Sequence, residues 1–560
     1  MDKKKILTGL FLFATAAAAV WLRLLYIDTS LWYDEACSWF TAGKSFPLGI
    51  MDNLLHLDFQ HTPLYFFLLH FWMKTFGEGE ISLRILSVIF GIAAVPIAFV
   101  ISKKIVPAVS ALIITAVTAV SPLLVFFSVE VRMYPLAVFL VLVSLNYLID
   151  FEQKNDIKSL TKLVIINILI PYTFVGGVFY NISLAICYGL YLFKNKKKQF
   201  CLYIKGLITE VVLLIPYIIL IGYYAKMRSI FIVRHEGAMA FSQIVEAVRN
   251  FFGITLVTNL YWPAVDSYTI DFVFTVLVIV PCVYFIYGII QGYRNSAGFV
   301  KTLYSIFVLS FVLAVVVSLF EVNVFTVRYI LYLLPPMFIL GILGLSKKIS
   351  LMHLKIFAAF FVICSVVSDI NYAPYSKKLK MLVMKSVQLE AKELQLGADD
   401  IIILPFGADA PYYFRSSATP RVFNFDFHKQ TRNPYNNNLY DKSQQEKLAG
   451  NAKYAVIFDA VFQDKVFSEN FFNYFISNVN NTVAPGRYVL AAFFGTDANS
   501  IVTLKELRDS VKSVVDVKER TVDILLKKFI YDIRAMLDYD FVLVKFYSKD
   551  NYSYMLFQKK

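Results

Sequence analysis

The sequence predicts a polytopic α-helical membrane protein of about 11 transmembrane helices with interfacial helices, followed by a C-terminal water-soluble domain of α/β or α+β type. Three observations predict it. Of 560 residues, 58% are hydrophobic, too apolar for a soluble chain of that length. Apolar runs able to cross a hydrocarbon core of about 30 Å, which takes roughly 17–25 residues, recur along the first 370 positions. The 190 residues after position 370 carry as many charged side chains, 47, as the 370 before them. With 23 glycines, 18 prolines and no long polar tract, disordered and collagen-like chains are excluded.

Taken in order, the apolar runs lie near 6–26, 81–102, 106–127, 134–150, 162–175, 177–193, 201–223, 269–291, 302–320, 328–346 and 353–370. The stretch 162–193 is one apolar run divided at Pro171 to Gly177. The amino end, with Lys3 to Lys5 and Ala16 to Ala19, also has features of a cleavable signal peptide, but the following segment needs it as an anchor. A further run, Pro63 to Phe76, is too short to span and sets the orientation of everything after it. If it lies in the interface, every basic cluster falls on one side: Lys3 to Lys5, Lys103–Lys104, Lys194 to Lys198, Arg294 with Lys301, and Lys347–Lys348. That matches the positive-inside bias, so the amino terminus is expected in the cytoplasm of a cell (inner or plasma) membrane and the C-terminal domain outside. The net charge of +14 is thereby a topology signal, and nucleic acid is not an expected partner. The five cysteines show no metal-type spacing.

The external face then receives the loop 27–80, a turn around Val129 to Tyr134, the loop 224–268, the turn Glu321 to Arg328, and the tail. The transmembrane module is assigned to 1–370 and the soluble domain to 371–560. The first loop contains Trp32-Tyr33-Asp34-Glu35-Ala36-Cys37-Ser38-Trp39. Aromatic flanks desolvate a carboxylate, which suits it to take a proton from an attacking alcohol or amine. Equally, two acids at a helix start complement its dipole. Asp58-Phe59-Gln60-His61-Thr62-Pro63 follows; Pro63 at a first helical turn sets His61 just ahead of a helix N-terminus, where anions bind. Arg84, Arg132 and Arg328 stand at the external ends of spans, against the positive-inside pattern. Arginine there is costly and marks function by default, and its fork matches a phosphate. No phosphate-cradling glycine loop, no dinucleotide fingerprint and no buried acid relay at mid-span positions is expected, which argues against a nucleotide-driven pump.

Five short motifs now stand in order: Tyr33-Asp34-Glu35-Ala36, His61-Thr62-Pro63-Leu64-Tyr65, Leu83-Arg84, Glu130-Val131-Arg132-Met133-Tyr134 and Arg328-Tyr329 before Pro335. Together they resemble the C-type membrane glycosyltransferases, in particular the bacterial family-39-like enzymes, the protein O-mannosyltransferases and the aminoarabinose transferases of lipid A. The resemblance covers about 1–370. It implies inverting transfer of a sugar from a polyprenyl-phosphate carrier to a glycan, lipid or protein acceptor on the external face. It further implies Asp34 as base with Glu35 supporting it, and substrate contacts from Asp58, His61, Arg84, Arg132, Tyr134, Arg328 and Tyr329. Thr62 replaces the first proline of the family's His-Pro-Pro-Leu motif, and Gln60 stands where some relatives place a metal-binding acid, so no metal is predicted from this motif; no cofactor is predicted, a divalent metal being left open but not indicated. Loop 224–268, with Arg228, Arg234, His235 and Glu236, resembles an interfacial lid.

In the tail, Ile401 to Leu404, Ala455 to Phe458, Phe541 to Lys545 and Tyr554 to Phe557 read as strands, and Leu504 to Leu537 as helical. The aromatic stretch Pro411 to Phe427 reads as core. A lipid-linked substrate transporter or flippase is the alternative function, in which the arginines would bind phosphate without chemistry.

Overall fold

The computed structural model describes residues 3–56, 61–231, 268–319, 328–381, 385–404, 410–416, 418–426, 454–458, 479–480, 483–494, 540–549 and 552–560. Asp58, most of loop 224–268 and the segment Leu504 to Leu537 therefore lie outside the described residues. The chain folds as two compact units, one comprising Met1–Thr29, Thr41–Ala225 and Arg234–Lys377, the other Ser30–Phe40, Lys226–Val233 and Lys378–Lys560.

The first unit is helical. Its elements begin α1 (Lys3–Ile27), with α2 (Tyr33–Ala42) running from the second unit into it, then α3 (Leu48–His56), α4 (Pro63–Phe76), α5 (Glu80–Ile105), α6 (Ala108–Val120), α7 (Pro122–Ser128), α8 (Tyr134–Lys154), α9 (Ile157–Thr173), α10 (Gly177–Asn195), α11 (Lys197–Leu213) and α12 (Ile215–Phe231). Helices Tyr268–Arg294, Gly298–Leu319, Leu334–Ser346 and Leu351–Met381 follow. Among the described residues, seven helices are long and apolar enough to cross a membrane, or up to nine if each of two bent pairs is one span. The protein is an integral membrane protein. The single spans read at 106–127 and 201–223 are both broken: α6 and α7 meet at 49° and α11 and α12 at 48°. Pro122 and Pro216 explain the breaks, because each opens a new helix at a position where a missing N–H costs nothing. The 162–193 run divides where expected, between Thr173 and Gly177.

Side chains of α1, α5 and α6 make a core from Ala19, Leu22, Tyr26, Val88, Val95, Ala119 and Val120. Arg23 sits within it, 1% exposed, and donates to the carbonyls of Ala19 at 2.9 Å and Ala119 at 3.2 Å. Helices Tyr268–Arg294 and Leu334–Ser346 approach closely enough that a Cβ on Gly288 would strike the carbonyl of Gly341, and one on Gly344 the carbonyl of Gly288. Small residues bring helix backbones together where lipid removes the hydrophobic drive to pack. The helix α4, at 14 residues, measures about 21 Å, less than the hydrocarbon thickness.

The second unit holds a six-stranded mixed sheet of order β3-β2-β1-β4-β6-β5, built from β1 (Ile401–Leu404), β2 (Arg421–Asp426), β3 (Tyr454–Phe458), β4 (Tyr488–Phe494), β5 (Phe541–Lys549) and β6 (Tyr552–Lys559). β1 to β4 are parallel, Ile401 pairing with Arg421 on one side and Val489 on the other, whereas β6 runs antiparallel to both β4 and β5. The unbroken apolar run of β1, with Ile401 to Ile403 at most 1% exposed, is what a central parallel strand requires. All four expected strands are present; β2 and β4 were not anticipated. β2 lies inside the aromatic stretch 411–427, of which Tyr412, Tyr413 and Phe414 are buried.

Candidate active site

In the first unit, a polar knot forms at the start of α4. Pro63 fixes the first helical turn and Thr62 precedes it in extended conformation. His61, 6% exposed, accepts a hydrogen bond at Nε2 from Nη2 of Arg132 at 2.5 Å. Its ring stacks on Phe66 at 6.1 Å, and its carbonyl accepts from the hydroxyl of Tyr224 at 2.9 Å. Arg132, 3% exposed, lies in the non-helical turn between α7 and α8, held by its own N–H on the Glu130 carbonyl at 2.7 Å and by Ser87 Oγ donating to its carbonyl at 3.2 Å. Ser87 in turn lies 2.9 Å from the Tyr65 hydroxyl. Arg132 stands in this turn and Tyr134 opens α8, which brings their side chains together.

An aromatic wall continues from the knot. The Arg132 guanidinium lies 5.9 Å from the ring centre of Tyr134. Tyr134 meets Phe174 and Tyr329 at 6.1 and 6.4 Å, Phe174 and Tyr329 stack at 5.8 Å, and Arg328 covers Tyr329 at 5.2 Å. Four predicted residues, His61, Arg132, Tyr134 and Tyr329, are thus joined in one continuous cluster with Arg328 at its edge. Arg84 is placed differently: fully buried, it donates to the carbonyls of Ile27, at 3.1 Å, and Thr29 at the end of α1. That contact ties α5 to the segment leading into α2.

The acid pair belongs to the second unit. Both acids fall in the first turn of α2, whose ladder starts with Ala36 N–H donating to the Trp32 carbonyl at 3.0 Å. Glu35 is fully buried, and its Oε2 accepts from the N–H of Trp32 at 3.2 Å. A third-position glutamate reaching back to the cap N–H is half of a capping box. Asp34, one position earlier, is half-buried, with Ser38 Oγ donating to its carbonyl at 3.1 Å. Within the same unit the segment is held by Tyr413, whose hydroxyl accepts from Leu31 N–H at 2.8 Å, by Trp39 edge-on to Tyr412 at 5.3 Å, and by Arg415 lying 4.2 Å over Tyr412. The expected acid pair therefore separates into two environments.

No protein-family model and no curated protein sequence matches the chain. Solved structures do. ArnT from Cupriavidus metallidurans in the apo state aligns over 99% of this chain and 98% of its own, with a TM-score of 0.60 at 9% identity. The same protein bound to undecaprenyl phosphate aligns over 98% of each chain, again at 0.60 and 9%. This chain has the ArnT fold. Its C-type membrane architecture is the one the sequence motifs implied. The archaeal oligosaccharyltransferase AglB from Archaeoglobus fulgidus, in complex with an inhibitory peptide and a dolichol-phosphate, aligns over 92% of this chain and 72% of its own with a TM-score of 0.46 at 13% identity.

Several site residues had escaped sequence reasoning. Tyr65 and Ser87 are ordinary members of apolar runs, and Tyr224 meets His61 across 163 positions, which no local pattern reveals. Arg23 and Glu210 were detectable as charges inside spans. Glu210, 6% exposed on α11, is a single buried acid within a span and not a relay. Among the described residues no group of three or more His, Cys, Asp or Glu side chains could hold a metal ion.

Proposed function

We propose that the protein is a polyprenyl-phosphate-sugar-dependent glycosyltransferase that transfers a sugar, with inversion, to a cell-envelope acceptor on the external face of the membrane. The observation that carries the reading is the His61–Arg132 pair at the N-terminus of α4, in a chain that shares the fold of ArnT over nearly its whole length, one ArnT structure being bound to undecaprenyl phosphate. A guanidinium, an imidazole and a helix N-terminus are suited to bind the donor phosphate and to stabilise the charge that develops as it leaves. Phosphate is already a good leaving group, so a general acid at that oxygen is unnecessary. Asp34 takes the proton of the acceptor as its oxygen or nitrogen attacks the anomeric carbon opposite the phosphate. Glu35 supports it by fixing the first turn of α2, and Tyr134, Tyr329 and Arg328 complete the donor site. Arg84 holds the approach to α2, and Asp58 keeps the substrate-contact role that the sequence motif implies. The amino terminus is cytoplasmic and residues 371–560 are external in this reading.

The test is reconstitution in proteoliposomes with a radiolabelled polyprenyl-phosphate sugar and envelope lipid or glycan extract, followed by identification of the labelled product. Wild-type protein should label an acceptor and Asp34→Asn should not, while both bind the carrier. Undiminished labelling by Asp34→Asn would remove the base assignment. Carrier binding and translocation without any transfer would favour a flippase instead.

A further inference from the structure

Away from the His61 knot, helices α8 to α11 bury a second polar cluster. Ser144 Oγ donates to Asn167 Oδ1 at 2.6 Å and lies 2.9 Å from the Tyr180 hydroxyl. Asn167 Nδ2 donates to Glu210 Oε2 at 3.2 Å. Asn181 Nδ2 donates to Glu210 Oε1 at 2.9 Å and to the Asn167 carbonyl at 2.7 Å. All five residues are at most 6% exposed. Because the Asn181 amide nitrogen is bound to a backbone carbonyl, which only accepts, the orientation of that amide is fixed and its Oδ1 is an acceptor.

Glu210 has no cationic partner among the described residues; its contacts are the two neutral amides. Lys154 pairs with Asp150, Lys196 with Glu152, and Lys162 lies over the ring of Tyr147, while no lysine of these helices, Lys205 of α11 included, acts on the Glu210 carboxyl among the described residues. Among the described residues the titratable groups coupled to the carboxyl are the neutral Tyr180 on α10 and Tyr203 on α11. Two oxygens of this region, Asn181 Oδ1 and the Tyr203 hydroxyl, are buried without a hydrogen-bond partner among the described residues. An unpartnered buried polar atom costs about 1–3 kcal/mol and an uncompensated buried carboxylate more.

We propose that Glu210 and Asn181 hold a single monovalent alkali cation inside the α8–α11 bundle. The ligands are hard oxygens, as such ions require, and one formal negative charge with otherwise neutral donors matches one positive charge and not two. The ion neutralises Glu210 and engages Asn181 Oδ1, the acceptor of this cluster that has no donor among the described residues. Its role is to lock four helices together, and it is independent of the transfer chemistry proposed above.

The experiment uses full-length protein in detergent, with sodium or potassium chloride replaced by N-methylglucamine chloride at constant ionic strength. Thermal unfolding should shift upward by several degrees with sodium, potassium or both, and the two titrations identify which ion is preferred. Radioactive sodium should bind at one ion per chain if sodium is preferred, with potassium competing in the opposite case. Glu210→Gln, whose amide can donate to Asn181 Oδ1, should remain folded and lose the ion response. Asn181→Ala should weaken binding about tenfold or more. A wild-type protein indifferent to both ions overturns the proposal. So does a stability that follows pH alone, which would assign a proton to Glu210.

Discussion

The His61–Arg132 knot and the Asp34–Glu35 turn announce themselves by the same signal, polar residues where a membrane chain should be apolar, yet they are built in opposite ways. In the knot the two residues are fixed by partners from distant segments: Arg132 by Ser87 and His61, and His61 by Arg132 and Tyr224. In the acid turn the order is local. Glu35 closes the helix cap three residues back, and Asp34 remains half-buried beside it. A phosphate that must be held in one position needs donors already oriented, because reorienting them on binding would cost the energy they supply. A base that meets varied acceptors needs a fixed backbone and an accessible carboxylate. The comparison therefore fits the proposal that the knot binds phosphate and one acid of the pair transfers the proton.

The strongest way to break that assignment is Asp34→Asn, expected to lower transfer about 10²–10⁴-fold with unchanged carrier affinity. A loss of affinity instead of turnover would make Asp34 a binding group. Arg132→Lys comes next: charge survives but the fork and its bond to His61 do not, so the Michaelis constant for the donor should rise about tenfold or more, measured by initial rates against carrier concentration. Equal effects of Arg132→Lys and Arg132→Ala would show that geometry matters more than charge.

Glu35 sharpens the comparison within the pair. Glu35→Gln preserves a side-chain acceptor for the Trp32 N–H and should retain most activity, whereas Glu35→Ala should cost about 1 kcal/mol of helix stability and depress turnover in proportion. Activity lost equally in both would make Glu35 a chemical participant. The smallest effect is expected on β5 of the second unit. Burial, and then its hydrogen bond to Glu390, raise the Tyr547 hydroxyl above its ordinary range. A raised group holds its proton in the folded state, so this contribution is intact below about pH 10 and is lost as pH rises beyond it. Tyr547→Phe should flatten the alkaline limb of a thermal-stability profile without altering transfer.

Much of this was legible before any coordinates. Apolar length located the spans, Pro63 marked the start of α4, and the misplaced arginines drew attention to Arg132 and Arg328. What stayed hidden had long-range causes. The bend at Leu214 follows from Pro216, but whether a proline kinks a span or merely starts a helix depends on its neighbours. β2 and β4 were overlooked because Arg421–Asp426 and Tyr488–Phe494 do not alternate in hydropathy cleanly; they are strands because β1 lies between them. Glu210 was passed over because one acid does not alter the hydropathy of a 17-residue helix, although it gathers polar contacts from two others.

By itself, then, the sequence determined the class of protein, the approximate course of its helices and the chemistry available to it, since hydropathy, charge placement and proline positions act locally. Only the tertiary structure decided that Glu35 caps while Asp34 does not, that Arg84 binds backbone carbonyls while Arg132 meets His61, and that Asn167 and Asn181 converge on Glu210. The last two of those outcomes are choices between partners dozens of residues apart. A hydrogen bond is directional and short, so which pair forms is settled by how the helices pack and not by the residues taken singly.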